Sequence, residues 1–294
     1  MIHTIHNADF RTSWRPEDYL KQYYTTTSLP ADELAIYNFI IHYLQAEQPH
    51  FVKALDFGCG PTVHHIIPFI PYVEEVHLAD YLPANLLALQ QWLHGEPSAH
   101  NWDMYVQSVL TLEGIARPSS AALEMRKAQM RCKTRRIKQG NLFWKHPLKD
   151  GATYPLVLSF YCADSATHSK SQWRLFMRHL FNLIAPGGTL ILSALHNTEH
   201  YNVGEQCFPS ARVNENDMYA ILSEGQFCKK TLDIHTMHIS GWEEEGFDSI
   251  MLIKAQKITS RPINMFPQAV FITPQAPESQ VLPRSMRAWG EMRD

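Results

Sequence analysis

Two glycines and one aspartate have the types and spacing that suggest ligand chemistry. The stretch KALDFGCGPT, residues 53–62, joins an apolar run to Gly58 and Gly60, and Asp80 ends the next apolar run, VEEVHLAD. Glycine permits a sharp backbone turn and a close approach to a ligand. In nucleotide-binding sheets, an acidic residue about 20 positions further on accepts hydrogen bonds from the ribose. These residues therefore predict a nucleoside site at the carboxyl ends of two parallel strands.

The absence of phosphate-binding residues narrows the choice of ligand. A dinucleotide fingerprint would have a third glycine where this chain has Val63, and the GK[ST] sequence of a P-loop does not occur. An adenosine without phosphates fits better than NAD or ATP, and S-adenosylmethionine (SAM) meets that description. The alternative is a tight structural turn followed by an aspartate that caps a helix.

Apolar runs that alternate with helical patterns place these residues in an α/β protein with a mostly parallel sheet. Residues 1–50 have helical spacing and predict an N-terminal helical lid. Residues 51–258 predict the SAM-binding core, which contains an insertion at about 96–138 and ends in two strands, one of them antiparallel. The proline-rich residues 259–294 predict a tail.

The composition argues against several kinds of partner. The chain has 294 residues and a formal net charge of −3, so its overall charge favours neither nucleic acid nor a membrane surface. The basic residues in 126–138 lack interleaved aromatic side chains and are interpreted as a solvated helix face. Five dispersed cysteines form no CxxC pair, so we expect no disulfide framework, no metal site and a reducing, cytoplasmic location.

Several motifs in order resemble a known family. They are RPEDYLKQYY (15–24), DFGCGPT (56–62), LADYLPANLLALQQWL (78–93), EPSAHNW (96–102) and YNVGEQCF (201–208). Together they resemble the nicotinamide, phenylethanolamine and indolethylamine N-methyltransferases over about residues 15–257. The resemblance implies a Rossmann-like class I methyltransferase fold: a seven-stranded, mostly parallel sheet with helices on both faces and an N-terminal helical lid.

The resemblance also implies a role for the matching positions. The implied cofactor site consists of Tyr24, Gly58, Gly60, Thr62, His64, Asp80, Tyr81, Asn85, Asn141, Leu142 and Tyr161. The implied residues at the reaction centre are Tyr19, Asn141 and Ser193, with Tyr19 closing over the site. The implied substrate-binding residues are Tyr19, Ser193, Asn197, Tyr201 and Ser210.

Three residues depart from the family pattern. Asn141 stands where the pattern has an aspartate, which removes one negative charge from the adenine side. His64 replaces a tyrosine and could either donate to the carboxylate of SAM or cap a helix. Ser193 replaces an aspartate that holds the substrate's amine or amide, and serine supplies no charge. Asn197, in the following loop, could substitute in part.

These departures leave three functions open. The first is transfer of the SAM methyl group to a small molecule, at nitrogen. The second treats SAM as the substrate: its own amine attacks its γ-carbon, giving azetidine-2-carboxylate and methylthioadenosine, a reaction of some methyltransferase-like proteins in bacterial secondary metabolism. The third is a SAM-binding module without catalysis. For each we expect a small-molecule ligand and a monomer or homodimer.

Overall fold

The computed structural model describes residues 9–259. The predicted tail, apart from Thr259, and the first eight residues of the predicted lid therefore lie outside the described residues. Three helices precede the sheet: α1 (Phe10–Ser13), α2 (Pro16–Tyr24) and α3 (Ala31–Glu47). Pro16 begins α2, where a missing amide hydrogen costs nothing, and acidic residues fill the first turns of α2 and α3, where the helix dipole favours them.

The predicted α/β fold with a seven-stranded, mostly parallel sheet is confirmed. The strand order is β3-β2-β1-β4-β5-β9-β8, and β9 alone in that sheet runs antiparallel to its neighbours. A separate two-stranded hairpin pairs β6 with β7. The strands are β1 (Phe51–Phe57), β2 (Val73–Asp80), β3 (Thr134–Gln139), β4 (Tyr154–Phe160), β5 (Ile184–Leu195), β6 (His200–Val203), β7 (Gln206–Pro209), β8 (Asp233–His238) and β9 (Ser249–Gln256).

Helices cover both faces of the sheet, which is why its central strands are nearly continuous apolar runs. One apolar cluster packs α3 and residues near α5 against one face, with Ile36, Ile40 and Trp102 fully buried. The other packs the helices after β4 and β5 against the opposite face, with Trp173 and Ile221 buried. The remaining helices are α4 (Pro83–His94), α5 (Asp103–Leu112), α6 (Ser120–Lys133), α7 (Lys170–Phe181) and α8 (Glu215–Glu224).

The segment after the glycine turn is a 3₁₀ helix, His64–Tyr72. Pro68 and Pro71 lie inside it, and proline lacks the amide hydrogen that an α-helix needs and clashes with the preceding turn. The tighter helix places two consecutive histidines, His64 and His65, directly behind the turn.

The region predicted as an insertion contains α5 and α6, and its range overlaps the start of β3 at Thr134. Ser119 caps α6 by accepting a hydrogen bond from the amide of Ala122. One basic residue here is not on a solvated face: Arg126 is buried and forms a bidentate pair with Glu113. Within residues 9–259, no helix has both the length and the apolar character needed to cross a bilayer.

Candidate active site

The glycine turn lies at the carboxyl end of β1, as the sequence predicts. Gly58 and Gly60 have φ angles of +72° and +62°, which favour glycine. A Cβ atom at Gly58 would lie 2.1 Å from the sulfur of Cys162, so packing as well as conformation requires glycine there. A Cβ at Gly60 would meet only Tyr19, at 3.9 Å.

Asp80, at the carboxyl end of β2, is buried, and its carboxylate accepts three hydrogen bonds from within the chain. One oxygen accepts from the amide of Gly60 at 2.9 Å, and the other from the amide of Leu82 and the side chain of Asn85, both at 2.8 Å. Burial raises the pKa of this carboxyl, and the hydrogen bonds oppose that rise. A carboxylate has about four acceptor sites, so three are used within the chain. A ribose that uses both hydroxyls must displace one of these donors.

A cavity opens at this edge of the sheet. Its volume is about 1370 Å³, which includes space open to solvent at its mouth. Its walls come from α1–α3, from the loops after β1, β2, β3 and β4, and from the segment that follows β8. Most of the predicted site residues line it: Tyr19, Tyr24, Gly58, Gly60, Thr62, Asp80, Tyr81, Asn85, Asn141, Leu142, Tyr161 and Tyr201.

Four predicted site residues do not line this cavity: His64, Ser193, Asn197 and Ser210. Ser193 is buried within β5, and its carbonyl accepts from the amide of Tyr161 at 3.0 Å. Asn197 is exposed in the next loop, and its side chain bonds the ring of His196. Ser210 is buried beyond β7. Among the described residues these four do not line the cavity, but the side chain of Ser193 interacts with the hydroxyl of Tyr161, which does.

His64 bonds a carboxylate of the chain itself. Its Nε2 lies 2.9 Å from Glu33 Oε1, and the neighbouring His65 Nε2 lies 3.4 Å from Glu33 Oε2. The His64 ring also stacks on Trp102, with centroids 5.1 Å apart. Burial lowers the pKa of His64 to about 4, although the carboxylate of Glu33 acts to raise it. Burial alone would raise the pKa of Glu33, but the two histidines outweigh it and hold that pKa well below its usual range.

The same three residues are also the one potential metal-donor set found among residues 9–259. The ligand atoms of Glu33, His64 and His65 lie within 4.8 Å of one another, and two imidazoles with a carboxylate are donors that zinc and iron accept. The Glu33 carboxylate already contacts both rings directly, at 2.9 and 3.4 Å.

Asp32, the residue before Glu33, faces the cavity with different partners. Its Oδ1 accepts from the indole of Trp242 at 2.9 Å, and its Oδ2 lies 3.4 Å from the hydroxyl of Tyr161. Burial raises the pKa of Asp32 to about 6, and the neighbouring charge of Glu33 adds to the rise. Sequence reasoning missed both acids. Their only local signal is their place after Pro30 in the first turn of a helix, where acidic residues are common for electrostatic reasons alone.

The adenine end expected around Asn141 has a defined loop geometry. The Asn141 side-chain oxygen accepts from the amide of Phe143 at 2.8 Å, and its own amide donates to the carbonyl of Pro147 at 3.0 Å. Asn141 and Leu142 are both buried and line the cavity. An aspartate would accept the same hydrogen bond from Phe143, so the asparagine changes the charge of this loop rather than its shape.

The charge of the cavity wall has one sign. The lining residues that carry a formal charge at neutral pH are Asp32, Glu33 and Asp80, and no lysine or arginine of the described chain lines the cavity. About half of the remaining lining residues are aromatic. Carboxylates in a cleft with low-dielectric walls focus a negative potential, and aromatic faces attract cations. The cavity therefore suits a cationic ligand.

Comparison with known proteins places the chain in a family. The NNMT/PNMT/TEMT family model matches residues 2–258. Mouse (Mus musculus) indolethylamine N-methyltransferase is 31% identical over 211 residues, which cover 69% of this chain and 78% of the relative. Human (Homo sapiens) phenylethanolamine N-methyltransferase is 26% identical over 67% of this chain and 69% of the relative. Human nicotinamide N-methyltransferase is 26% identical over 86% and 96%.

The motifs that suggested this resemblance lie within the matched range, and the fold and the glycine turn agree with it. The chain belongs to the NNMT/PNMT/TEMT family, as its motifs predicted.

Proposed function

We propose that this protein, a SAM-dependent methyltransferase by its family, transfers the methyl group of SAM to a nitrogen atom of a small molecule. The observation that carries the proposal is the cavity at the carboxyl edge of the sheet, where the glycine turn and Asp80 meet an aromatic wall without lysine or arginine among its described residues. A positively charged sulfonium is stabilised by such a wall.

The residues of this cavity fit SAM. The Gly60 position leaves room for ligand atoms, because a Cβ there would meet only Tyr19, at 3.9 Å. Asp80 offers a ribose its carboxylate, and Asn141 and Leu142 border the expected adenine end. Tyr24 and Thr62 border the methionine end. The wall provides no cationic group that a triphosphate or a pyrophosphate would require.

When bound, SAM supplies an electrophilic methyl carbon, and the protein needs only to orient a neutral nitrogen in line with it and to exclude water. In this proposal Tyr19 and the rest of α2 form the lid. Tyr19 is partly buried, and desolvation raises the pKa of its phenol well above the usual range, so it acts as a neutral hydrogen-bonding group. Tyr161 and Tyr201 form the walls of the acceptor pocket. The monomeric or homodimeric state and the cytoplasmic location stay predictions.

The experiment that tests the proposal separates the three functions left open by the sequence. Pure protein is incubated with SAM, with and without a panel of nitrogen acceptors, and the products are identified by mass spectrometry. We expect S-adenosylhomocysteine to form only when an acceptor is present.

Two outcomes would contradict the proposal. Methylthioadenosine with azetidine-2-carboxylate, formed without an acceptor and faster than without protein, would establish the cyclase. Tight SAM binding with no product from any acceptor would establish a binding module. No contact among the described residues favours either of these over methyl transfer.

A further inference from the structure

We infer that Glu33, His64 and His65 bind one divalent transition-metal ion, represented by Zn²⁺, and that the open coordination position of this ion takes the carboxylate of SAM. The second part rests on the proposed function, whereas the metal site does not depend on it. The cysteine pattern gave no reason to expect a metal. The donors here are a carboxylate and two imidazoles, which the fold brings together across 31 positions of the chain.

The first support is the donor set itself. One ligand atom from each of the three residues lies within 4.8 Å of the others. The carboxylate oxygens of Glu33 lie 2.9 Å from His64 Nε2 and 3.4 Å from His65 Nε2. Zinc holds nitrogen and oxygen ligands at about 2.1 Å, which puts neighbouring ligand atoms of a tetrahedral site roughly 3.3 Å apart. Both nitrogen–oxygen distances are close to that separation.

The second support is that one of these two contacts is not a hydrogen bond. Glu33 Oε2 and His65 Nε2 face each other at 3.4 Å, yet both atoms are buried and neither has a hydrogen-bond partner within the described residues. The two side chains are only 2% and 5% exposed, so bulk water does not replace the missing partner. Buried polar atoms without partners are costly. An ion bonded to both atoms would remove that cost.

The third support is the charge of Glu33. Among the described residues its ion-pair contacts are the two histidines, and no lysine or arginine pairs with it. A buried carboxylate is stable when it is paired with a cation or coordinates a metal. No lysine or arginine of the described chain lines the cavity either. A bound divalent ion would therefore supply the positive charge that this part of the wall lacks.

The place of the three donors indicates which ligand the ion would face. Glu33 and His65 line the cavity, and the ring of His64 lies against that of Tyr24, with centroids 4.7 Å apart. Tyr24 borders the expected methionine end of SAM. Three protein ligands leave the fourth position of a zinc ion open, and a carboxylate oxygen is a ligand that zinc accepts. Glu33 alone would repel the carboxylate of SAM, whereas the ion would attract it.

The test first measures metal binding without SAM. The full chain is freed of metal with a chelator and titrated with Zn²⁺ by calorimetry, and Co²⁺ then replaces Zn²⁺ for visible absorption spectroscopy. Glu33→Gln and His65→Asn each change one ligand. His77→Asn is the matched control, because His77 is also buried beside a glutamate, Glu75, but this pair is not part of the donor set found among the described residues. Thermal unfolding shows whether each metal-free variant is folded.

We expect the wild type and His77→Asn to bind one Zn²⁺ per chain with a Kd below about 1 µM, and their melting temperatures to rise with Zn²⁺. Glu33→Gln and His65→Asn should each weaken binding by at least about 100-fold, since even partners of metal ligands contribute 10- to about 100-fold. The Co²⁺ form should show the strong visible bands of a four-coordinate ion. Zn²⁺ should raise the SAM affinity of the wild type by about 10-fold and leave that of the two ligand variants unchanged.

Two results would overturn the metal site: no Zn²⁺ bound by the wild type, or a Zn²⁺ affinity that folded Glu33→Gln and His65→Asn both keep within about threefold. A wild type that binds Zn²⁺ but has the same SAM affinity with and without it would overturn the contact between the ion and SAM. Failure of SAM to bind in either condition would instead remove the proposed function, and the Zn²⁺ titration would still decide the metal site.

Discussion

Two parts of the cavity wall differ in the groups that hold their carboxylates in place. At the sheet edge, Asp80 is held mainly by backbone amides and by a side chain five residues away. At the first turn of α3, Asp32 and Glu33 are held by side chains from distant parts of the chain, Trp242 and His64 among them. The first part is therefore encoded locally, and the second exists only after the tertiary fold has formed. Substitutions should distinguish the two.

The largest effect is expected at the sheet edge, where Gly58→Ala would place a methyl group 2.1 Å from the sulfur of Cys162. We expect SAM affinity to fall by more than about 100-fold, since the turn must move away from the ligand, and stability to fall with it. Gly95→Ala is the matched control, because Gly95 has nearly the same φ, +71°, but no atom within 4 Å of its Cβ position.

Gly95→Ala should cost about 1 kcal/mol of unfolding free energy through backbone strain alone and leave SAM binding unchanged. Calorimetry measures the SAM affinity, and thermal unfolding measures the change in stability. Equal losses of SAM affinity in the two variants would mean that backbone strain, and not the contact with Cys162, sets the requirement for glycine.

The next effect is expected at α3. Glu33→Gln removes the carboxylate to which the buried His64 ring is hydrogen-bonded, and we expect a loss of about 2 kcal/mol in unfolding free energy, the range for a buried hydrogen bond to a charged group. Glu47→Gln, at the exposed end of the same helix, should change it by less than about 1 kcal/mol. Chemical denaturation of both variants at pH 7 makes the comparison. Similar small losses in both variants would show that the contacts of Glu33 with His64 and His65 contribute no more to stability than a surface ion pair.

A smaller, pH-dependent effect is expected at Asp56, which ends β1 beside the glycine turn. It is 1% exposed, neither carboxylate oxygen has a hydrogen-bond partner within the described residues, and burial raises its pKa to about 7. The folded state thus keeps this proton to a higher pH than the unfolded state. The stability it contributes is complete below about pH 4 and is lost as the pH rises through about 7.

The stability of Asp56→Asn should therefore increase relative to that of the wild type as the pH rises from 4 to 8, by about 4 kcal/mol over that window. Denaturant unfolding of both proteins at pH 4, 6 and 8 measures the difference in their unfolding free energies. The titration of the histidines cancels in this difference, because both proteins contain the same histidines. A difference that stays constant with pH would show that this carboxyl is ionised throughout the folded state.

The contrast between the two parts also explains what the sequence could predict. A strand, a glycine turn and an acid at the next strand end lie close in sequence, so their geometry follows from local rules, and the sheet follows from alternating apolar runs. The 3₁₀ helix depended on Pro68 and Pro71, whose effect an apolar pattern conceals. The pairing of Asp32 with Trp242 spans 210 positions, and helix periodicity carries no information about such a partner.

The residues that departed from the family pattern were informative in a different way. Replacing a carboxylate with Ser193 suggested that the acceptor site had lost its charge. The structure shows that two carboxylates from α3, Asp32 and Glu33, line the cavity. The sequence pattern does not predict that these two acids lie there, and only the assembled fold shows it.

Asn85 links Asp80 to the aromatic wall of this cavity. Its side-chain amide donates to Asp80, and its oxygen accepts from the indole of Trp14 at 2.9 Å. Trp14 in turn packs on Tyr19, with ring centroids 4.8 Å apart. A ribose that competes for Asp80 thereby perturbs the ring that borders the acceptor pocket. We expect this connection to favour binding of the cofactor before the acceptor, and product-inhibition kinetics measure that order.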